Sequence, residues 1–368
     1  MTVYTFPRKI YFQRDIIETL PDIVQGSKKL FIITDENILK IHGERIEKIL
    51  SGKDFKIYSN VKPEPTIESI ESAYKENVSF NPDVIIAIGG GSVMDFAKSM
   101  AIKFSYPDMD LRIVNPFEPL DIKIKLIAIP TTSGTGSDVS FGIVLTDGNR
   151  KVALGNYELV PSISILDSSL TPSSKEIIRA TGIDAFVHAF EALSANTSTI
   201  LTDALAEKSI EIIYKYLEKA MANDEDAKDL VHLSATMAGL AFSNSGTALA
   251  HALGHSFGAT FHVVHGTSVG LFLPYVIEFN SQDEKTNEKY KKIEKVLNME
   301  NLLDGIRNYY KGVGQAFYVK ELGISKGAYL SKIDELTEKT LMDSELAFNP
   351  VIAGEEDIKN IFKKAYGD

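Results

Sequence analysis

A chain of 368 residues is longer than one ordinary hydrophobic core, so the sequence predicts two domains. Its net charge of −11 argues against a nucleic-acid partner, because phosphate binding needs clustered lysine and arginine. The absence of cysteine excludes disulfides, thiolate catalysis and cysteine-ligated zinc. No apolar run reaches about 18 residues and the first residues lack a signal-peptide core, so we expect a cytoplasmic protein without a membrane segment.

The first half of the chain alternates short apolar segments with amphipathic helical patterns. The sequence predicts strands at 30–34, 55–59, 83–88 and 124–129, and helices at 38–50, 66–77 and 92–102. Strands that are apolar throughout and alternate with helices are typical of a parallel sheet covered on both faces. We therefore expect an α/β domain whose ligands bind at the carboxyl ends of its strands.

Three of these strand ends carry residues suited to a dinucleotide. The run GGGSVMD at 89–95 opens a helix, and its glycines let the backbone approach a pyrophosphate at the helix N-terminus. The run TTSGTGSD at 131–138 supplies hydroxyl groups, and Asp35 follows the first strand, where its carboxylate would accept hydrogen bonds from a ribose. The alternative for Asp35 is a cap on the helix that follows it. Neither a GxGxxG fingerprint nor a P-loop is present.

From about residue 172 the strand patterns give way to helical periodicities. Helices are predicted at 174–194, 199–221, 224–242, 248–258 and 271–279, with several more toward the C-terminus. The sequence therefore predicts an α/β dinucleotide-binding domain at 1–176, with a Rossmann-like parallel sheet, and an all-helical domain at 177–368.

Four of the seven histidines lie in the segment 250–266. His251 and His255 are four residues apart, so on a helix they share one face. Gly258 is expected to loosen that helix and let His265 return to the same pocket. The fourth histidine of the segment is His262.

A second half-site lies upstream, where Asp184 and His188 are again four residues apart in an apolar helical segment. Together the two segments offer one carboxylate and several imidazoles, which is a set that suits a divalent metal such as iron or zinc. Histidines of a buried helix are more often ordinary core residues than ligands. Burying several imidazoles together is costly without partners, however, and this favours the metal site.

The sequence resembles the iron-containing (group III) alcohol dehydrogenases over nearly its whole length. The resemblance is carried by TDENILK (34–40), VKPEPT (61–66), DVIIAIGGGSVMDFAK (83–98), IPTTSGTGSDVS (129–140), TGIDAFVHAFEA (181–192), FSNSG (242–246) and HALGHSFGATFHVVHG (251–266). It implies the fold that this family shares with dehydroquinate synthase, in which a helical metal-binding domain follows the sheet. It also implies hydride transfer between NAD(H) and a small alcohol or aldehyde.

The resemblance further implies a role for individual residues. The metal, Fe²⁺ or alternatively Zn²⁺, is expected on Asp184, His188, His251 and His265, and His255 is the expected catalytic residue near the nicotinamide and substrate. The NAD site is expected to comprise Asp35, Gly90, Gly91, Ser92, Asp95, Thr131, Thr132, Ser133, Thr135 and Lys151. The substrate pocket is expected to include Phe141, Gly142, Phe242 and Thr247. A homodimer or larger homo-oligomer is also implied.

Two other functions remain open from the sequence. A lyase of the dehydroquinate-synthase type would share the NAD, the metal and the two-domain plan. It would need lysine and arginine for a phosphorylated, carboxylated substrate, and residues 242–280 contain neither. A non-catalytic NAD-binding sensor is the second alternative, and it would not need an intact set of four metal ligands.

Overall fold

The computed structural model describes residues 3–148 and 150–367. It divides into two compact units, Met1–Pro172 and Ser173–Asp368. The sequence placed the division between residues 176 and 177. The first unit is an α/β structure and the second is helical, so the predicted fold class is confirmed.

The first unit is built on a parallel sheet. The strands are β1 (Lys9–Phe12), β2 (Lys29–Ile33), β3 (Asp54–Tyr58), β4 (Val84–Gly89), β5 (Lys125–Pro130), β6 (Gly142–Asp147), β7 (Arg150–Gly155) and β8 (Ile163–Leu166). Six of them form the sheet in the order β1-β8-β5-β4-β2-β3, with every neighbouring pair parallel. The other two, β6 and β7, form an antiparallel hairpin.

The central strands are buried on both faces, as their continuous apolar sequences predict. In β2, Phe31 and Ile33 belong to the core on one face, whereas Leu30 and Ile32 belong to the core on the other. The same alternation recurs in β4 and β5, because successive side chains of a strand point to opposite faces. The helices that accompany the sheet are α1 (Leu20–Ile23), α2 (Glu36–Ile49), α3 (Ile67–Asn77) and α4 (Gly91–Ser105).

The second unit has one large core shared by its helices. They are α5 (Lys175–Ser194), α6 (Ile200–Met221), α7 (Glu225–Ser245), α8 (Leu249–Phe261), α9 (His265–Asn280), α10 (Glu284–Leu297), α11 (Leu302–Val313), α12 (Lys326–Leu330), α13 (Ile333–Leu341) and α14 (Glu355–Ala365). Helix α5 is buried on nearly all sides, since fifteen of its twenty residues are buried. In the described part of the chain, none of the helices combines the length and the apolar character that crossing a membrane requires.

The expected loosening of the histidine helix at Gly258 is wrong. Helix α8 continues through this glycine to Phe261, and the chain turns instead at His262, which has a φ of 55° in the left-handed region. Helix α9 then begins at His265, well before the predicted start at 271, and it accommodates Pro274 in its interior. The return of His265 therefore depends on a tight turn between two regular helices.

Candidate active site

The three histidines expected as metal ligands surround one oxygen of Asp184. Its Oδ1 lies 3.9 Å from His188 Nδ1, 3.8 Å from His251 Nε2 and 3.2 Å from His265 Nε2. Three helices supply the four side chains: α5 carries Asp184 and His188, α8 carries His251, and α9 begins with His265. The four-residue spacing of Asp184 and His188 thus brings their side chains together in the way that helical geometry predicts.

These separations suit four ligands of one divalent ion. If each ligand atom lay about 2.1 Å from the ion, a tetrahedral arrangement would place ligand atoms about 3.4 Å apart. Asp184 Oδ1 and His251 Nε2 are buried and accept or donate no hydrogen bond within the described residues. Buried polar atoms are rarely left this way, because the lost hydration costs about 1–3 kcal/mol each. The donor set therefore fits a divalent metal ion.

Asp184 has the charge state that metal binding requires. Its side chain is only 4% exposed, and burial alone would raise its pKa. The neighbouring imidazoles of His188 and His265 more than offset burial and hold the pKa of Asp184 well below its usual range. The carboxylate therefore stays ionised at neutral pH. His265, in contrast, is 45% exposed, so the group of ligands is accessible from its side.

Glu191 is a functional residue that the sequence analysis missed. Its Oε2 lies 2.5 Å from His251 Nδ1, and its Oε1 accepts hydrogen bonds from the backbone amides of Ala250 and His251. These amides belong to the first turn of α8, which has no side-chain cap of its own. Glu191 therefore caps α8 and orients the His251 ring, leaving Nε2 toward Asp184. The signal was available, because Asp184, His188 and Glu191 follow the spacing of one helical face.

Close packing of α9 against α5 brings His265 to Asp184. A Cβ atom added at Gly266 would lie only 1.9 Å from the carbonyl oxygen of Ala180 and 3.1 Å from Asp184 Cβ. No residue with a side chain fits this contact without separating the two helices. Gly266 therefore fixes the position of the ligand that precedes it.

Two predicted pocket residues and the predicted catalytic histidine also lie in the second unit. Phe242 stacks on His188 with ring centroids 4.4 Å apart, and Thr247 is buried near the start of α8. The His255 ring stacks on that of His265 at 5.3 Å, and its Nδ1 lies 2.9 Å from Asp343 Oδ2. Asp343 holds the Nδ1 side of the His255 ring, so its Nε2 is the ring nitrogen left for other partners.

The predicted cofactor turn has the backbone geometry that a pyrophosphate needs. Helix α4 begins at Gly91 directly after β4, so its first amides have no capping side chain. A Cβ atom at Gly91 would lie 3.1 Å from Thr135 Cγ2, and one at Gly90 would lie 3.4 Å from Thr132 Cγ2. The hydroxyl-rich loop after β5 therefore lies against the glycine turn. Ser92 follows in the first turn of α4, and Thr131 and Ser133 are buried in the loop.

Asp35 combines a helix cap with a place at the same edge of the sheet. It is the N-cap of α2, and its Oδ1 accepts both cap hydrogen bonds, from Asn37 N at 2.9 Å and Ile38 N at 3.1 Å. Because β2 and β4 are neighbours, the residues that follow their carboxyl ends lie at one edge. The cap therefore does not exclude a ribose, since Oδ2 takes part in neither cap bond.

The remaining predicted residues of the first unit make other contacts. Lys151 pairs with Glu64 at 2.6 Å, and the Phe141 ring packs edge-on against Tyr157. The carbonyl oxygen of Gly142 accepts a hydrogen bond from Lys98. For these residues a cofactor or substrate role stays a prediction.

Comparison with known proteins decides the family. A family model described as iron-containing alcohol dehydrogenase matches residues 7–168, and one described as the C-terminal part of the Fe-containing alcohol dehydrogenase family matches residues 178–366. The chain is 34% identical to an alcohol dehydrogenase of Thermococcus barophilus, with 100% of both chains covered. It is 32% identical to an NADPH-dependent butanol dehydrogenase of Clostridium saccharobutylicum, covering 100% of this chain and 98% of that one. The structure of an iron-containing alcohol dehydrogenase from Thermococcus thioreducens superimposes with a TM-score of 0.92 at 32% identity over 100% of both chains.

The chain belongs to the iron-containing alcohol dehydrogenase family. It is therefore an oxidoreductase that acts between alcohols and aldehydes. The family uses Fe²⁺ with NAD(H), and one relative is named for NADPH instead. The fold and activity expected from the resemblance are confirmed, and neither the lyase nor the non-catalytic sensor is favoured.

A buried lysine supports the cofactor turn of this dehydrogenase. Lys98 of α4 is fully buried and donates to Ser137 Oγ at 3.0 Å and to the Gly142 carbonyl oxygen at 2.9 Å. Ser137 in turn donates to Asp95 Oδ1, and Val144 N donates to Asp95 Oδ2. Burial lowers the pKa of Lys98 to about 8, against the opposing effect of Asp95. Asp95 thus connects α4 to the loop after β5 through Oδ1 and to β6 through Oδ2. A contact of Asp95 with the cofactor stays a prediction.

Replacing Glu191 by glutamine should weaken metal binding by roughly 10- to 100-fold, which is the usual cost of losing a carboxylate that orients a metal-bound histidine. The amide keeps the side-chain volume and one acceptor oxygen for the α8 cap, so the fold should persist. Metal affinity is measured by competition with a chelator, and secondary structure by circular dichroism. Glu288→Gln, on the exposed face of α10, removes an equal charge and is the control. An unchanged metal affinity in Glu191→Gln would contradict the orienting role.

Proposed function

We propose that the protein oxidises small, uncharged primary alcohols with NAD and reduces the corresponding aldehydes, using a divalent metal, Fe²⁺ or Zn²⁺, bound by Asp184, His188, His251 and His265. The observation that carries the proposal is the approach of three imidazole nitrogens to one buried, ionised carboxylate oxygen. Four nitrogen and oxygen ligands with no sulfur are compatible with either metal.

The chemistry divides between the bound groups and the side chains. The metal would supply a Lewis acid for the alcohol or carbonyl oxygen, and the nicotinamide would supply or accept the hydride. Asp184 and the three histidines would hold the metal, and Glu191 holds His251 in the orientation that directs Nε2 toward Asp184. His255, fixed at Nδ1 by Asp343, offers Nε2 to receive the proton of the alcohol.

The proposed NAD site follows the carboxyl ends of β2, β4 and β5. The free amides at the start of α4 would bind the pyrophosphate, and the hydroxyl groups after β5 would surround it. Because one relative is named for NADPH, family membership alone does not decide between the two nicotinamide cofactors. We propose NAD, since the carboxylate of Asp35 is expected beside the adenosine ribose, where NADP carries an additional 2′-phosphate.

The proposed substrates are neutral because the pocket residues contribute no cation. Phe242 and Thr247 are uncharged, and residues 242–280 contain neither lysine nor arginine. Phosphorylated or dicarboxylate alcohols would therefore find no counter-ion among them. Phe141 and Gly142 of the first unit, the other pocket residues expected from the sequence, are uncharged as well.

One assay tests the proposal. The purified protein is freed of metal with a chelator and reloaded with Fe²⁺ or Zn²⁺. It is then assayed with NAD and a series of primary alcohols, and with NADH and the aldehydes. We expect turnover only after reloading, and a marked preference for uncharged substrates. Full activity in the metal-free protein, or none on any alcohol or aldehyde after reloading, would contradict it.

The proposal also retains a cytoplasmic location and a homodimer or larger homo-oligomer, both expected from the sequence. Fractionation of cells that express the protein tests the location. Light scattering on the purified protein measures the number of subunits directly.

A further inference from the structure

A carboxylate outside the expected ligand set lies beside the histidines. Glu345 belongs to a short 3₁₀ helix, Ser344–Phe348, for which Asp343 is the N-cap. Nitrogen and oxygen atoms of His255, Asp343 and Glu345 lie within 4.8 Å of one another. The His255 ring is 5.3 Å from the ring of His265 and 5.8 Å from that of His251. Glu345 therefore lies next to the proposed metal ligands, one histidine away.

Apart from Asp184, whose free oxygen faces the proposed metal, Glu345 is the acid of this group that has a buried oxygen without a hydrogen-bond partner among the described residues. Asp343 pairs with His255 and Glu191 pairs with His251, whereas Glu345 Oε2 is buried and accepts no hydrogen bond. A buried carboxylate oxygen without a donor is costly, so a donor supplied by a bound molecule would be favoured there.

The local charge balance also favours a donor. Four carboxylates surround the histidines, namely Asp184, Glu191, Asp343 and Glu345. A divalent metal ion would neutralise two of the four negative charges. The surroundings of a bound alcohol would therefore remain negative, and they would repel an anionic group elsewhere on the substrate.

We infer that Glu345 forms a subsite that binds a second hydrogen-bond donor of the substrate, above all an ammonium group, and excludes alcohols that carry an anionic group. The inference rests on the proposed function, because it places the reacting hydroxyl group at the metal ligands. It adds amino alcohols to the neutral substrates and gives the carboxylate a role in specificity.

The test compares three substrates of equal length in wild type and Glu345→Gln, both loaded with Fe²⁺. These are 1-propanol, 3-amino-1-propanol and 3-hydroxypropanoate. The wild type should prefer the ammonium to the carboxylate substrate in kcat/KM, and the variant should reduce that ratio by on the order of tenfold to a hundredfold. Each value is divided by that for 1-propanol in the same protein, so that a general effect of the substitution on turnover cancels. Glu345→Asp, which restores the charge, should recover part of the ratio, and Glu288→Gln should leave it unchanged.

Binding gives a second measurement that does not depend on turnover. Calorimetry with the metal-loaded protein should show tighter binding of 3-amino-1-propanol than of 3-hydroxypropanoate, and the difference should shrink in Glu345→Gln. The inference is overturned if the variant still oxidises 1-propanol and has the same ratio of kcat/KM for the ammonium and carboxylate substrates as the wild type. If the variant loses its metal, the test rests on the wild type alone. Equal kcat/KM values of the wild type for 3-amino-1-propanol and 3-hydroxypropanoate then overturn the inference. A wild type that oxidises none of the three overturns the proposed function itself.

Discussion

His251→Ala should lose its bound metal and reduce turnover by roughly a thousandfold or more. Lewis-acid stabilisation is worth several kcal/mol, and each 1.4 kcal/mol changes a rate about tenfold. The substitution removes one of the three imidazoles around Asp184 and leaves Glu191 Oε2 without its ring partner. Metal content is measured by atomic emission, and turnover with 1-propanol and NAD. NAD binding, followed by calorimetry, should persist because the proposed NAD residues belong to the other unit.

The neighbouring His262 provides the control for this substitution. It lies on the same segment, is exposed, and caps α8 with a left-handed backbone that asparagine also adopts. His262→Asn should therefore retain the metal and turnover of the wild type. Stoichiometric metal in His251→Ala would show that the ligand assignment is wrong, provided that circular dichroism shows the variant to be folded.

Replacing Asp35 should lower the ratio of kcat/KM for NAD to kcat/KM for NADP by roughly tenfold to a thousandfold. Two like charges about 4 Å apart repel by roughly 1 kcal/mol in water and about 4 kcal/mol at an intermediate effective dielectric, and about 1.4 kcal/mol corresponds to tenfold. The wild type should prefer NAD. Asp35→Asn and Asp35→Gly should narrow the preference mainly by lowering the KM for NADP. The cap on α2 survives in the first variant, because asparagine is as good an N-cap as aspartate.

Two variants separate the effect of the helix cap on cofactor preference from the effect of the charge. Asp35→Asn keeps the cap and removes the charge, so a loss of cofactor preference in this variant belongs to electrostatics. Asp54→Asn removes the same charge at the opposite end of the neighbouring strand β3 and should leave the preference unchanged. The readout is kcat/KM for both cofactors in all four proteins. A wild type that prefers NADP, or an unchanged ratio in Asp35→Asn, would show that Asp35 serves only as the cap.

The central strands and long helices were predictable because burial imposes strong patterns on them. A short apolar segment flanked by helices, such as 83–88, indicates a buried parallel strand, and the structure has β4 there. The strands β1 and β8 were missed because four residues are too few for a period to emerge. The β6–β7 hairpin was missed although Gly148, which has a positive φ, follows β6 directly, and glycine is typical of hairpin turns.

The site was predictable where spacing along one helix decides which side chains meet. Asp184 with His188, and His251 with His255, are such pairs. Glu345 was not predictable, because it approaches His255 from a segment about ninety residues further along the chain, and no periodicity connects them. The path to His265 was predicted incorrectly, since a glycine inside a helix does not necessarily bend it; Gly258 lies against Ser268 of α9, and α8 stays regular there.

The double role of Glu191 has a consequence for how the ion is captured. The same carboxylate that completes the first turn of α8 also orients the His251 ring, so the helix cap and the ring orientation depend on one side chain. The metal-free protein is then already pre-organised, with little side-chain freedom left to lose at this histidine. Metal uptake would therefore need little rearrangement of this histidine, and its rate would depend on diffusion and on removal of water from the ion.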